Sequence, residues 1–216
     1  MPGSARAERP GFHDGLTRTV AAITEGLNAA HRAREKALPA CRRVIRSAGS
    51  AIRAVHRLEP EQAATLADEA EVALREAQSV LAPCPSVAFA GFLHDAEKEY
   101  AEARFTIALV AAEPLPSPEQ LEVAGPSWLK GLAEAASELR RFALDRLRDG
   151  DLAQAEVLLG VMDDVYDSLM TIDFPDAVTS GLRRTVDSLR AVLERTRGDV
   201  TTTAVQTRLQ RALEQG

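Results

Sequence analysis

The chain has 216 residues, 45% of them hydrophobic and 27% charged, the balance of a soluble globular protein with one sizeable core. No apolar run approaches the roughly 18 residues needed to span a bilayer, and residues 1–10 lack the apolar centre of an export signal, so a cytoplasmic location and no membrane partner are expected. The net charge of −6 argues against a polyanionic partner until its distribution along the chain is considered.

Residues 1–11 read as a flexible N-terminus, and 12–216 as one helical domain. Strand signals are missing: aromatic content is 4%, and β-branched residues cluster only at 200–203. The first long helical region covers 12–57, with Pro39 expected to kink or break it. Its second half, 31–57, carries Arg32, Arg34, Lys36, Arg42, Arg43, Arg46, Arg53 and Arg57 against Glu35 alone. Such a block is suited to steering a phosphate backbone to one surface, and a solvated helix face explains it equally well. Cys41 and Cys84 lie far apart without metal-type spacing and read as small buried hydrophobes.

From 58 to 138 the sign reverses, with 15 acidic residues against four basic ones. Helices are expected at 61–81, 86–112, 128–147, 152–170, 175–197 and 201–214, making seven in all. Pro60, Pro118 and Pro175 suit first-turn positions, while Gly150 and Gly198 suit C-terminal stops. Leu182, Val186, Leu189, Val192 and Leu193 share one face of the sixth helix. This pattern predicts an all-α, seven-helix bundle in a single domain.

The sharpest local feature lies in Glu97-Lys98-Glu99-Tyr100-Ala101-Glu102. Glu99 and Glu102 stand at i and i+3 on one helix face, and Glu134 and Glu138 at i and i+4 on another. If the two helices pack together, four carboxylates converge, and a hard divalent cation with oxygen ligands, Mg²⁺ or Mn²⁺, would stabilise them. Glu pairs at this spacing also occur on ordinary solvated faces. His13, His31, His56 and His94 show no metal-ligand spacing, and no Gly-rich phosphate loop is present. His56 reads as a polar contact between helices, and Tyr100 and Trp128 as core.

Several stretches, in order, resemble the translin family. Arg32-Ala33-Arg34-Glu35-Lys36, Arg46 and Ala51-Ile52-Arg53-Ala54-Val55-His56-Arg57 resemble its first long helix. Lys98-Glu99-Tyr100-Ala101-Glu102-Ala103 resembles its Gln-Glu-Tyr-Val-Glu-Ala segment. Trp128-Leu129-Lys130-Gly131-Leu132-Ala133-Glu134, with Glu138-Leu139-Arg140-Arg141, resembles its Tyr-Leu-Leu-Gly-(Val/Leu)-Ala-Asp helix. Phe174-Pro175-Asp176-Ala177-Val178-Thr179-Ser180-Gly181-Leu182-Arg183-Arg184, then Glu194-Arg195-Thr196-Arg197-Gly198-Asp199, resembles the C-terminal signature of prokaryotic members.

The resemblance implies a seven-helix bundle and closed shells, typically octamers, that enclose nucleic acid. It further implies membership of the translin-associated factor X branch, which cleaves RNA with divalent metal. Glu99, Glu102, Glu134 and Glu138 are then the expected catalytic and metal-holding residues, with Glu134 departing from that branch's Asp by one methylene. Arg46, Arg53, Arg57, Arg183 and Arg184 are the expected contacts to single-stranded RNA, or to single-stranded DNA. The rival expectation is a non-catalytic single-stranded nucleic-acid-binding scaffold, which gains nothing from an acidic cluster.

Overall fold

Proline and glycine mark most of the helix boundaries, as their backbone chemistry requires. In the computed structural model, which describes residues 11–88 and 91–214, nine helices follow one another: α1 (Phe12–His56), α2 (Pro60–Leu81), α3 (Pro85–Ala88), α4 (Phe92–Ala111), α5 (Pro118–Leu121), α6 (Gly125–Arg148), α7 (Leu152–Met170), α8 (Asp176–Thr179) and α9 (Leu182–Glu214). No strand occurs among the described residues. The expected flexible segment, 1–11, lies outside the described residues apart from Gly11. Pro60 and Pro118 open α2 and α5, where a missing N–H costs nothing. Gly150, at φ +80°, turns the chain after α6.

The count of nine among the described residues corrects the expected seven, which held no helix at Pro118–Leu121 and joined α3 to α4. Helix α1 runs unbroken through Pro39, because Ala37, Ala40, Cys41 and Val44 around it are buried against neighbouring helices. That packing outweighs the one backbone hydrogen bond that proline removes. The expected helix at 86–112 is divided into α3 and α4. Pro175 does not sit in a first turn but caps the single-turn α8, which ends with Ser180 and Gly181 both at positive φ. Gly198 stops nothing: Thr196, Val200 and Ala204 are buried on either side of it, and their burial exceeds the ~1 kcal/mol helix penalty of glycine. The two expected C-terminal helices are therefore one helix of 33 residues.

Alanine determines how closely the helices approach. Ala37, Ala40, Ala48 and Ala51 of α1 and Ala67, Ala70 and Ala77 of α2 are all fully buried, so small side chains line both sides of the seam. Helix α4 packs on α1, α2 and α6, and α6 continues the layer to α7 and α9. On its α2 side, α4 is held by Tyr100, whose hydroxyl donates to Glu71 at 2.8 Å. Arg104 reinforces the contact through Asp68 and Glu71 at 2.8 and 2.7 Å. Burial pushes the Tyr100 phenol up to about 12, so it stays a donor. Trp128 packs edge-on against Phe105 with ring centres 5.0 Å apart, and its Nε1 donates to the Pro116 carbonyl at 2.9 Å. Both aromatic residues serve the interior. Cys41 is buried as expected, and desolvation pushes its thiol up to about 11; Cys84 is half-buried. No helix among the described residues is long and apolar enough to cross a membrane.

Candidate metal centre

A close approach of α4 and α6 is made possible by Gly131. A Cβ at that position would lie 2.9 Å from the Ala101 Cβ, 2.9 Å from the Lys98 carbonyl oxygen and 3.0 Å from the Glu102 nitrogen. A side chain of any size would therefore push the helices apart. At the N-terminal end of this contact, the buried carboxylate of Glu97 accepts from the Ala124 N–H at 3.3 Å and the Ser127 hydroxyl at 3.1 Å. Glu97 thereby fixes the start of α6 on α4.

One turn beyond Gly131, Glu134 meets Glu99 and Glu102. Carboxylate oxygens of these three residues all lie within 4.8 Å of one another. Glu102 is 8% exposed, while Glu99 and Glu134 are half-buried. Burial pushes the Glu102 carboxyl up to about 9; the charges of Glu134 and Glu99 push the same way, and Lys98 opposes them.

Lys98 stands inside this acidic group. Its ammonium donates to Glu99 at 2.8 Å and to Glu134, and lies 4.0 Å from Glu102. Burial works against its charge, but the bonds to Glu134 and Glu99 outweigh it and hold the ammonium above the usual lysine range. The fourth expected carboxylate, Glu138, is engaged differently. Its Oε2 lies 2.6 Å from Nε2 of His56, whose ring stacks on Phe142 at 5.0 Å. The His56 Nδ1 is buried without a hydrogen-bond partner. The contact joins the end of α1 to α6, one turn past Glu134.

The five expected arginines fall into two exposed groups. Arg46 and Arg53 sit at i and i+7 on α1 and so share a helix face, and Arg57 follows as the residue that caps its C-terminus. Arg53 donates to Ser50 at 2.9 Å and Arg57 pairs with Glu59 at 2.7 Å. Arg183 and Arg184 open α9, with Arg183 3.7 Å from Asp173. The turn before them is tied to α6 by Lys130, which donates to the Ser180 carbonyl at 3.2 Å. Arg140, by contrast, binds Thr196 and Asp199 and joins α6 to α9.

Lys98, Gly131 and Glu97 also belong to the centre, although none of them carries a ligand-type spacing in the sequence. For Gly131 the available signal was a lone glycine inside a helical pattern. For Lys98 it was a cation flanked by two glutamates and four residues before a third.

Three carboxylates from two helices offer only oxygen ligands, a donor set that fits a hard divalent cation such as Mg²⁺ or Mn²⁺. The fold and the centre together define an all-α bundle with an acidic site between two helices. No family-level sequence model matches the chain. An uncharacterized protein of Methanocaldococcus jannaschii is 30% identical over 174 residues, covering 78% of this chain and 75% of that protein. The crystal structure of AfC3PO is 31% identical, superimposes with a TM-score of 0.79, and covers 87% of this chain and 98% of its own; the AfC3PO–duplex RNA complex gives 0.80. Apo-NeC3PO, 18% identical with a TM-score of 0.75 over 85% of this chain and 96% of its own, shares the fold. The chain belongs to the translin family, whose C3PO-like members these structures represent.

Proposed function

We propose that this protein binds RNA and cleaves it as an Mg²⁺- or Mn²⁺-dependent endoribonuclease. The observation that carries this reading is the meeting of Glu99, Glu102 and Glu134 across the Gly131 contact, within 4.8 Å of one another. These three would hold the ion, and Glu138, one turn away, is the fourth catalytic candidate. When bound, a divalent ion supplies a water of lowered pKa and neutralises charge developing on the phosphate. The protein's own contribution is positional. Gly131 and Glu97 fix the two helices, and His56 orients Glu138. Arg46, Arg53, Arg57, Arg183 and Arg184 are the proposed backbone contacts, holding phosphates by charge-assisted bonds.

The AfC3PO relative, 31% identical, was solved with duplex RNA, which supports RNA as the polymer. Single-stranded RNA is the proposed substrate, with single-stranded DNA as a second ligand. A closed homo-oligomer of eight chains is the proposed assembly. Phe12, Leu16, Val20, Ile23 and Leu27 support it, all more than half exposed on α1, because apolar side chains in register on an open helix face call for a partner.

One observation favours a second reading. Lys98 already compensates part of the carboxylate charge, so the cluster does not strictly require a metal, and a non-catalytic RNA-binding scaffold is compatible with it. The assay that separates the two uses a labelled RNA oligonucleotide, single-stranded or duplex, with wild type and Glu102→Gln side by side. Cleavage by the wild type alone, abolished by EDTA, is expected. Inert proteins that still bind RNA at every metal tested would establish the scaffold. Equal cleavage by both would place the nuclease elsewhere.

A further inference from the structure

The lysine in the acidic centre has a consequence for how that centre is loaded. Its ammonium reaches all three carboxylates at once, bonded to Glu99 at 2.8 Å and to Glu134, and 4.0 Å from Glu102. The side chain is only 13% exposed, so these contacts are sheltered from solvent screening. The oxygens that bind Lys98 belong to the same residues that would bind a cation. A carboxylate oxygen committed to an ammonium has lost part of its negative potential for an incoming ion, and two positive charges within one such cluster repel. We infer that Lys98 is a tethered cation occupying the centre in the metal-free protein, and that a divalent ion enters only by displacing its ammonium from Glu99 and Glu134.

This inference rests on the metal-site reading of the same carboxylates and adds a competitor within the chain. It makes metal affinity a difference between two cations rather than a property of the ligands alone. The centre is partly charge-compensated without metal, and loading requires a side-chain rearrangement on α4. The released lysine also becomes available to a phosphate bound beside the ion, since a four-carbon stem can swing its charge outward.

Two measurements on the full-length chain test it. In the first, Mn²⁺ binding is measured by calorimetry for wild type and Lys98→Gln, with folding checked by circular dichroism. Gln keeps helix propensity, is one atom shorter and carries no charge. The variant should bind Mn²⁺ tighter by on the order of tenfold or more, as expected when a close charge competitor is removed. The second needs no variant. The chain has three lysines, Lys36, Lys98 and Lys130, so residue-resolved amine acetylation can follow each separately. Labelling of Lys98 in the wild type should rise as Mn²⁺ is added, while Lys36 and Lys130 stay constant. Equal or weaker Mn²⁺ binding by a folded variant would overturn the inference, as would Lys98 labelling unmoved by saturating Mn²⁺. If neither protein takes up Mn²⁺, the metal-site reading itself falls and the inference falls with it. Uptake by the wild type without the Lys98 response removes the inference alone.

Discussion

Gly131 and Glu102 stand so close that a Cβ on the first would lie 3.0 Å from the backbone nitrogen of the second. The helices that carry the acidic centre thus touch backbone to backbone, one turn from the carboxylates. The position of the centre follows from this contact, because separating α4 from α6 would separate Glu134 from Glu99 and Glu102.

Gly131→Ala should therefore be costly despite alanine's better helix propensity. The added methyl meets a carbonyl oxygen and a backbone nitrogen, neither of which can move without shifting its helix. A loss of about 1–3 kcal/mol is expected from overpacking of this kind, less the ~1 kcal/mol gained in helix propensity. Urea denaturation measures it. A variant stabilised by the full ~1 kcal/mol of helix propensity would show that the contact is slack.

The helical class, most boundaries and the two carboxylate pairs were legible in the sequence because each depends on local spacing. Glu99 and Glu102 share a face by geometry alone, and Pro60 and Pro118 begin helices for a reason confined to their own backbone. What was not legible depends on partners distant in the chain. Gly198 resembles a stop until Thr196, Val200 and Ala204 are seen to be buried, and Pro39 resembles a break until its neighbours are. Glu138 belongs with Glu134 by spacing, yet its carboxylate is taken up by His56, 82 residues away. Lys98 could not be placed in the centre from its sequence position, because only the packing of α6 brings Glu134 to it.

The buried carboxyl of Glu102 predicts a pH dependence of stability. Its folded value, about 9, lies above the 4.5 of an unperturbed glutamate. The native state therefore holds the proton more tightly than the unfolded chain. The stabilisation this provides is complete below about pH 4.5 and is lost as pH rises through about 9. Glu102→Gln removes the titration. In metal-free buffer, the stability of this variant relative to wild type should increase steadily between pH 5 and pH 9. Urea midpoints across that range provide the check, and a difference that does not change with pH contradicts it.

The exposed arginines of α1 predict how binding responds to salt. Arg53, on the last turn of α1, and Arg57, which caps that helix, are both exposed and are proposed to contact RNA phosphates. Each phosphate contact to a single strand contributes about 0.7 to the slope of log affinity against log salt. Replacing both with alanine should lower the slope by about 1.4 and weaken binding similarly across sequences. Filter binding at several salt concentrations measures this. An unchanged slope would move the phosphate contacts to Arg183, Arg184 or another surface.

The assembly prediction follows from side chains the fold leaves open. Phe12, Leu16, Val20, Ile23 and Leu27 recur every three or four residues along α1, a helical stripe exposed to between 51% and 65%. Val205, Leu209 and Leu213 repeat the pattern near the end of α9 and are at least half exposed. An isolated chain gains little from such stripes, since each half-exposed apolar side chain forgoes on the order of 1 kcal/mol of burial. In an assembly the same residues become interface. Eight chains of 23.3 kDa give a mass of about 186 kDa, eight times the single-chain value, which light scattering at micromolar concentration should report. Leu16→Glu with Ile23→Glu places two charges on the α1 stripe without touching the buried core, because both positions are exposed. If the stripe contributes to the assembly, this variant should retain its helical signal and lose mass. A wild type scattering as a 23.3 kDa monomer would rule out the oligomer. A double variant still at full mass would retain the oligomer but place its interface on other helices.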